Sequence, residues 1–350
     1  MSAAPEAPAL ANRSRLARTA GARRTLSWGF IGRRALGSAV TLFFILVVNF
    51  FLFRVINPHP ERTLARGRAN TPEQIHLIAE RLGLNQPLPQ QFWTYLTNIF
   101  TGNLGVSYEY GEPVASMILQ RLWPSLILVG TSTVLAIIIG LWIGKRAAWY
   151  RGRAFDKVST TGTIIVYAMP DWWLGLLLFM LLAVGFGSFP GLFPIGGLNS
   201  PGMNPWSFAG VIDEAWHLTL PVLTLTLAYV AEYSIVMRSS MLDEMGEPYL
   251  QTARAKGLPD ALVRRRHAAP NAMLPVMTMI SLDLAFSVGG AITIETVFSI
   301  PGLGLLTSDA LRIPDIPMLQ GTFLMFSTVV VIANFLANLF YAVRDPRVKL

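Results

Sequence analysis

Six apolar stretches decide most of what this chain can fold into: Ala35–Ile56, Leu122–Gly144, Thr160–Ala183, Trp216–Met237, Met273–Val297 and Met318–Val343. At about 1.5 Å per helical residue, each is long enough to cross a hydrocarbon core of about 30 Å. A chain that is 53% hydrophobic and 14% charged, with a mean hydropathy of +0.48, carries more apolar surface than a soluble domain of 350 residues needs. Lipid offers backbone groups no partners, and the alternation of a barrel strand is missing, so the stretches are predicted as helices. The expected fold class is all-α, a polytopic membrane protein with six transmembrane helices.

Charge sets the orientation, because Lys and Arg beside span ends stay on the cytoplasmic side. The segment before the first stretch carries seven, the second-to-third connection five (Lys145, Arg146, Arg151, Arg153, Lys157), the fourth-to-fifth six (Arg238, Arg254, Lys256, Arg264, Arg265, Arg266) and the C-terminus three. Twenty-one of the 28 basic residues thus lie in alternate segments, with Arg54 at a span end and six on the other side. Both termini are expected to be cytoplasmic.

The same clustering argues against nucleic acid as a partner, since the net charge of +8 sits beside spans and is not interleaved with aromatics on a soluble face. Zero cysteines exclude disulfides, thiolate metal sites and a Cys nucleophile. The histidines, His59, His76, His217 and His267, fall in separate segments without ligand spacing, so no metal site is expected. No phosphate loop is present: Gly140–Arg146 (GLWIGKR) is one residue short of the spacing, lacks the Ser or Thr and ends a span. It reads instead as small-residue helix packing followed by a basic anchor. The first stretch is too long for a signal-peptide core and has no small-residue cleavage site after it, which favours an uncleaved anchor.

These features divide the chain into a basic tail over 1–34, expected to be disordered or to lie on a surface, a six-helix domain over 35–343, and a cytoplasmic C-terminus over 344–350. Two connections are long. The external one, 57–121, contains a capping box at Thr71-Pro72-Glu73-Gln74 with Ile75, Ile78 and Leu82 on one face and Gly83 as a stop. It also contains QQFWTYLTNIF, in which Phe92, Leu96 and Ile99 share a face suited to a membrane surface, a docking contact or a simple cap on the bundle. The Gly- and Pro-rich connection from Gly185 to Ala215 has no Lys or Arg and fits an external loop. Pro170, Pro221 and Pro275 fall inside or at the start of spans, a tolerated break where neighbouring helices re-satisfy the backbone.

The other long connection is cytoplasmic, 238–272, and it is ordered like a designed element. In EPYLQTARAKGLPDALVRRRHAAPN, Glu247-Pro248 opens a helix, Tyr249, Thr252 and Ala253 continue it, and Gly257 is placed to cap it; a second, basic helix follows. The block resembles the cytoplasmic loop of ABC importer permeases, Glu-Ala-Ala, three residues, Gly, nine residues, Ile, one residue, Leu-Pro. Gln251-Thr252-Ala253 stands at the triplet, Gly257 at the glycine, His267 at the isoleucine and Ala269-Pro270 at Leu-Pro. Further strings, RSSMLDEMGEPYLQTARAKGL, HAAPNAMLPV, ETVFSIPGLG, LGLNQPLPQQFWTYLTNIFTGNLGVS and DPRVKL, are similar to the first permease subunit of the dipeptide, oligopeptide and nickel family. The resemblance runs from about Ala35 to Leu350; Asp171, in MPDWW, departs from it.

The resemblance implies a type I ABC importer permease fold in the cytoplasmic (inner) membrane of a prokaryote. It implies a homologous second permease, two ATP-binding subunits that hold ATP and Mg, an external substrate-binding protein and no cofactor in this chain. It also assigns ATPase coupling to Glu247, Tyr249, Gln251, Thr252, Ala253, Lys256, Gly257, His267, Pro270 and Asn271, with a smaller contact at Lys145–Asp156. Acids inside spans are costly and face protein or a wet cavity, so Asp283, Ser287, Glu232 and Asp171 are candidates for a translocation path. The ETVFSIPGLG string supplies candidate gate residues Glu295, Pro301, Gly302 and Gly304. The function expected is import of peptides driven by separate ATPases, with no catalytic residue in this chain. The alternatives are an ion-coupled secondary transporter, suggested by the intramembrane acids, and an ABC permease for nickel chelates or another solute. A membrane-embedded enzyme would need a reactive constellation that the sequence does not offer.

Overall fold

The computed structural model describes residues 28–56, 71–81 and 84–344, apart from the side chains of 281–291 and a few other helical positions. The expectations for the tail before Trp28, for Leu82 with Gly83, for 57–70 and for 345–350 lie outside the described residues. Helices dominate: α1 (Trp28–Ile56), α2 (Pro72–Arg81), α3 (Leu88–Phe100), α4 (Val114–Trp149), α5 (Ala154–Tyr167), α6 (Asp171–Leu178, widening over Phe179–Val184), α7 (Phe208–Met245), α8 (Pro248–Ala255), α9 (Asp260–Val263, widening over Arg264–Ala268), α10 (Ala269–Val297), α11 (Leu303–Arg312) and α12 (Ile316–Arg344). The connection after α6 opens with a two-residue antiparallel hairpin, β1 (Gly185–Phe186) on β2 (Phe189–Pro190), a small exception to the all-α expectation.

Among the described residues, four helices, within α1, α4, α7 and α12, are long and apolar enough to cross a membrane. The 29-residue α10 coincides with the fifth apolar stretch. The third stretch is not one helix: α5 and α6 meet at 103°. Pro170 is the cause. It has no amide to donate, and its φ −59°, ψ 138° is extended, so α5 ends at Ala168 and a new helix starts at Asp171. Pro124, Pro221 and Pro275 lie inside continuous helices; Pro124 and Pro221 are buried, and packing there outweighs a penalty of about 3 kcal/mol.

Glycine brings the two longest helices together. A Cβ at Gly140 would stand 2.7 Å from the Tyr233 Cβ, and one at Gly144 2.6 Å from the Ser234 carbonyl oxygen and 2.7 Å from the Met237 Cβ. The string that fails as a phosphate loop is therefore the close crossing of α4 and α7. Around this axis lie two apolar cores. One joins Ala136, Leu141, Tyr233, Met237 and Met241 to Leu250, Val263 and Val276; the other, at the opposite end, joins Leu128, Ala183, Leu218 and Leu225 to Ile294 and Phe298.

In the connection between α1 and α4, α3 turns Phe92, Tyr95, Leu96 and Ile99 against Leu46 and Leu324, and Phe92 meets the Phe50 ring edge-on at 5.3 Å. The predicted face is real, and it serves as a cap on the bundle. The turn after α3 is tied to α12 by Asp315, which is 1% exposed: it accepts from the Ser107 hydroxyl at 2.5 Å and the Met318 amide at 3.2 Å. Ser207 caps α7 by accepting from the Gly210 amide at 3.0 Å.

Candidate functional site

The block 247–271 folds as the sequence pattern requires. Glu247 is extended, Pro248 is the first helical residue, and α8 runs for eight residues to Ala255. Gly257 has φ +81°; its amide donates to the Arg254 carbonyl at 2.8 Å, and the Leu258 amide reaches back to the Ala253 carbonyl at 3.3 Å. This is a Schellman stop, in which a left-handed residue lets the next two amides satisfy the last carbonyls of the helix. Leu258 then turns onto the core beside Leu250.

One face of α8 is a seat and the other is open. Leu250 and Ala253 are buried, together with Val263, Ala268 and Ala272, against Met237 and Met241 of α7. Glu247, Gln251, Thr252, Lys256, Gly257, Pro270 and Asn271 are exposed. Of the ten predicted residues, then, only Ala253 points wholly inward.

Tyr249 ties the block together. Its hydroxyl donates to the Glu244 carboxylate at the end of α7, stands 3.2 Å from the His267 carbonyl oxygen, and accepts from the Asn271 side-chain amide at 2.9 Å. Burial, with the Glu244 carboxylate beside it, pushes the phenol's pKa up and keeps it a donor. The structure thus brings Tyr249, His267 and Asn271 to one point, which the sequence listed only as neighbours in a motif. Tyr249→Phe is expected to loosen α8 by about 1–2 kcal/mol while leaving the bundle folded. Hydrogen exchange of the α8 amides checks this; wild-type protection would mean that the apolar seat alone holds the helix.

Three features near this block escaped sequence reasoning. Trp149, at the end of α4, lies between two guanidinium groups, Arg254 at 5.8 Å and Arg264 at 5.7 Å from its ring centre, which joins α8 and α9 to α4. Glu244, on α7, is the acid that meets Tyr249. Arg238, counted as an orientation marker, makes a bidentate pair with buried Asp156 of α5, 2.7 Å from Nε to Oδ1 and 3.1 Å from Nη2 to Oδ2. Asp156 also accepts from the Gly152 amide and the Thr160 hydroxyl. Its only signal in sequence was being the single acid in a basic connection.

The candidate gate is a buried helix cap. Glu295 is fully buried; it accepts from the Ser125 hydroxyl at 2.5 Å, the Gly304 amide at 2.7 Å and the Leu305 amide at 3.1 Å, while Ser125 Oγ accepts from the Leu303 amide at 2.8 Å. One carboxylate and one hydroxyl so satisfy three of the orphan amides of α11. Gly302 and Gly304 are glycine because the chain passes against this cap: a Cβ at Gly302 would meet the Glu295 carboxylate and lie 2.5 Å from Ser125 Oγ, and one at Gly304 would lie 2.6 Å from the Ile292 Cα. Pro301 precedes them in the turn.

The candidate path residues are placed less fully. Asp171 is the first residue of α6, where a carboxylate suits the helix dipole, and it accepts from the Thr293 hydroxyl of α10 at 3.4 Å. Glu232 is half-buried on α7. The side chains of Asp283 and Ser287 lie outside the described set. Among the described residues no three His, Asp or Glu side chains gather as a metal set.

Comparison with known proteins gives a consistent result. The model of the binding-protein-dependent transport system inner membrane component matches residues 136–350, and the N-terminal model of the same systems matches 28–129. The glutathione transport system permease protein GsiC is 35% identical in Escherichia coli and in Shigella dysenteriae, over 91% of this chain and 98% of that protein. The Salmonella choleraesuis protein of the same name is 34% identical over the same shares. A solved amino acid ABC transporter superposes with a TM-score of 0.47 at 13% identity, covering 65% of this chain and 94% of that one, a likeness too slight to carry weight.

Proposed function

The chain belongs to the family of binding-protein-dependent transport system inner membrane components, and from that membership we propose how its parts divide the work of import. It is a permease subunit of an ABC importer in the inner membrane, a non-catalytic membrane component. Its partners are a homologous second permease, two ATP-binding subunits that hold ATP and Mg, and an external substrate-binding protein. The cargo is a peptide of a few residues, supported by relatives named for glutathione, itself a tripeptide. Nickel chelates are the other cargo to test. The membrane is crossed six times, with α5 and α6 as one bent crossing, and both ends are cytoplasmic; lopsided charge supports this orientation. Asp171, Glu232, Asp283 and Ser287 lie along the path on α6, α7 and α10, and the Glu295, Pro301, Gly302 and Gly304 turn closes its external end.

The observation that carries this reading is the seated block: α8 is stopped by a left-handed glycine, fixed on its inner face to the ends of α7 and α10, and open on its outer face. Such an element transmits displacement without absorbing it. Nothing lies within 4 Å of a Cβ at Gly257, so a substitution acts there through backbone strain alone. Gly257→Val is expected to raise that strain by roughly 1–2 kcal/mol and to cut ATP-driven uptake about fivefold or more in proteoliposomes containing all subunits. Gly257→Asn, which tolerates positive φ, is expected to retain most of it. Equal uptake by wild type and Gly257→Val would remove α8 from coupling, and competition of labelled glutathione by unrelated short peptides, or by nickel chelates, decides the cargo.

A further inference from the structure

We propose that the cytoplasmic hairpin joining α4 to α5 is a binding site for the phosphate headgroup of an anionic phospholipid. The proposal rests on the inside-positive orientation given above. On α4, Val134, Ile138, Trp142 and Arg146 fall four residues apart and form one stripe. Its first three members are 56, 60 and 55% exposed, so the stripe needs an apolar solvent and then ends in a cation. On α5 the order is mirrored: exposed Lys157 and Val158 lie at the start, and exposed Ile165 lies further along. Apolar contact below and positive charge above is the profile of a lipid chain and its headgroup.

The charge is fixed and unneutralised. Arg146 is held 5.6, 5.8 and 5.2 Å from the ring centres of Trp142, Tyr150 and Phe155, and Arg153 stands 5.4 Å from that of Tyr150. The acid of this turn, Asp156, is committed to Arg238. Among the described residues, Arg146, Arg151, Arg153 and Lys157 therefore have no carboxylate partner, which leaves four exposed cations around one short turn. A phosphodiester supplies the missing anion, and its acyl chains cover the stripe. An ATPase surface would supply anions but not an apolar cover for Val134 and Ile138.

The test is native mass spectrometry of the full-length chain released from nanodiscs of equal parts phosphatidylglycerol and phosphatidylcholine, a readout independent of orientation. The wild type is expected to retain phosphatidylglycerol in excess. Arg151→Gln/Arg153→Gln/Lys157→Gln is expected to lower that excess by about fivefold for each cation removed, while Arg265→Gln/Arg266→Gln, at two exposed positions, keeps it. The proposal is overturned by an unchanged excess in the triple variant, by an equal fall in the double variant, or by displacement of the lipid with excess inorganic phosphate. It is also overturned if the triple variant keeps its lipid but no longer co-purifies with the ATPase subunits.

Discussion

Gly144→Leu is expected to leave no folded chain in the membrane, whereas Gly130→Leu, earlier on the same helix, is expected to be tolerated. Both replace an α4 glycine with a good helix former, so propensity favours each alike. Only Gly144 faces α7, where a Cβ would lie 2.6 Å from a carbonyl oxygen and 3.0 Å from the Arg238 amide nitrogen; around Gly130 nothing lies within 4 Å. Overpacking costs about 1–3 kcal/mol where side chains can give way. Backbone atoms cannot turn aside, so the two helices must separate, and the loss is expected to exceed about 4 kcal/mol. Size-exclusion chromatography of a fluorescent fusion reads the outcome: a sharp wild-type peak from Gly144→Leu would refute the close crossing.

The second large effect concerns Glu295. Glu295→Leu keeps much of the volume but strands the Gly304 and Leu305 amides and removes an acceptor from Ser125. Each buried polar group left without a partner costs about 1–3 kcal/mol, giving roughly 3–9 kcal/mol for the three groups. Glu295→Gln retains an acceptor oxygen for the amides and is expected to lose about 1–2 kcal/mol. Thermal unfolding of the detergent-solubilised chain should rank wild type, Gln and Leu in that order. A Leu variant as stable as wild type would mean that the cap adds nothing, and a Gln variant as weak as Leu that charge rather than hydrogen bonding is what α11 needs.

What could be read in advance follows the physics of each signal. Four of the six span positions, the start of α2 at Pro72 and the glycine stop at Gly257 depend on neighbours in sequence, and the structure bears them out. The membrane setting and importer family were legible for the same reason, since the coupling pattern occupies one contiguous block. Contacts across the fold were not. Ser125 and Glu295, or Asp156 and Arg238, are far apart in the chain, and each reads alone as an ordinary polar residue or an orientation marker. The break at Pro170 is not legible in the sequence, because no local rule separates it from Pro221, which a buried setting keeps inside a helix. The glycines after Glu295 are legible as a motif, but their reason, close approach to its carboxylate and to Ile292, is not.

That break at Pro170 divides the third apolar stretch between two bodies. Its first half, α5, is clamped to the last third of α7 by the Asp156–Arg238 pair, while in its second half Gly175 nests against Ile294 and Thr224 in the opposite core. Between them lie Ala168 to Pro170, where Pro170 donates no amide hydrogen bond. An unbroken helix resists bending because every change of angle strains its hydrogen-bond ladder; this elbow can change angle by rotating a few backbone torsions. The stretch is therefore built as a jointed strut, held at each end, with its joint at one known place.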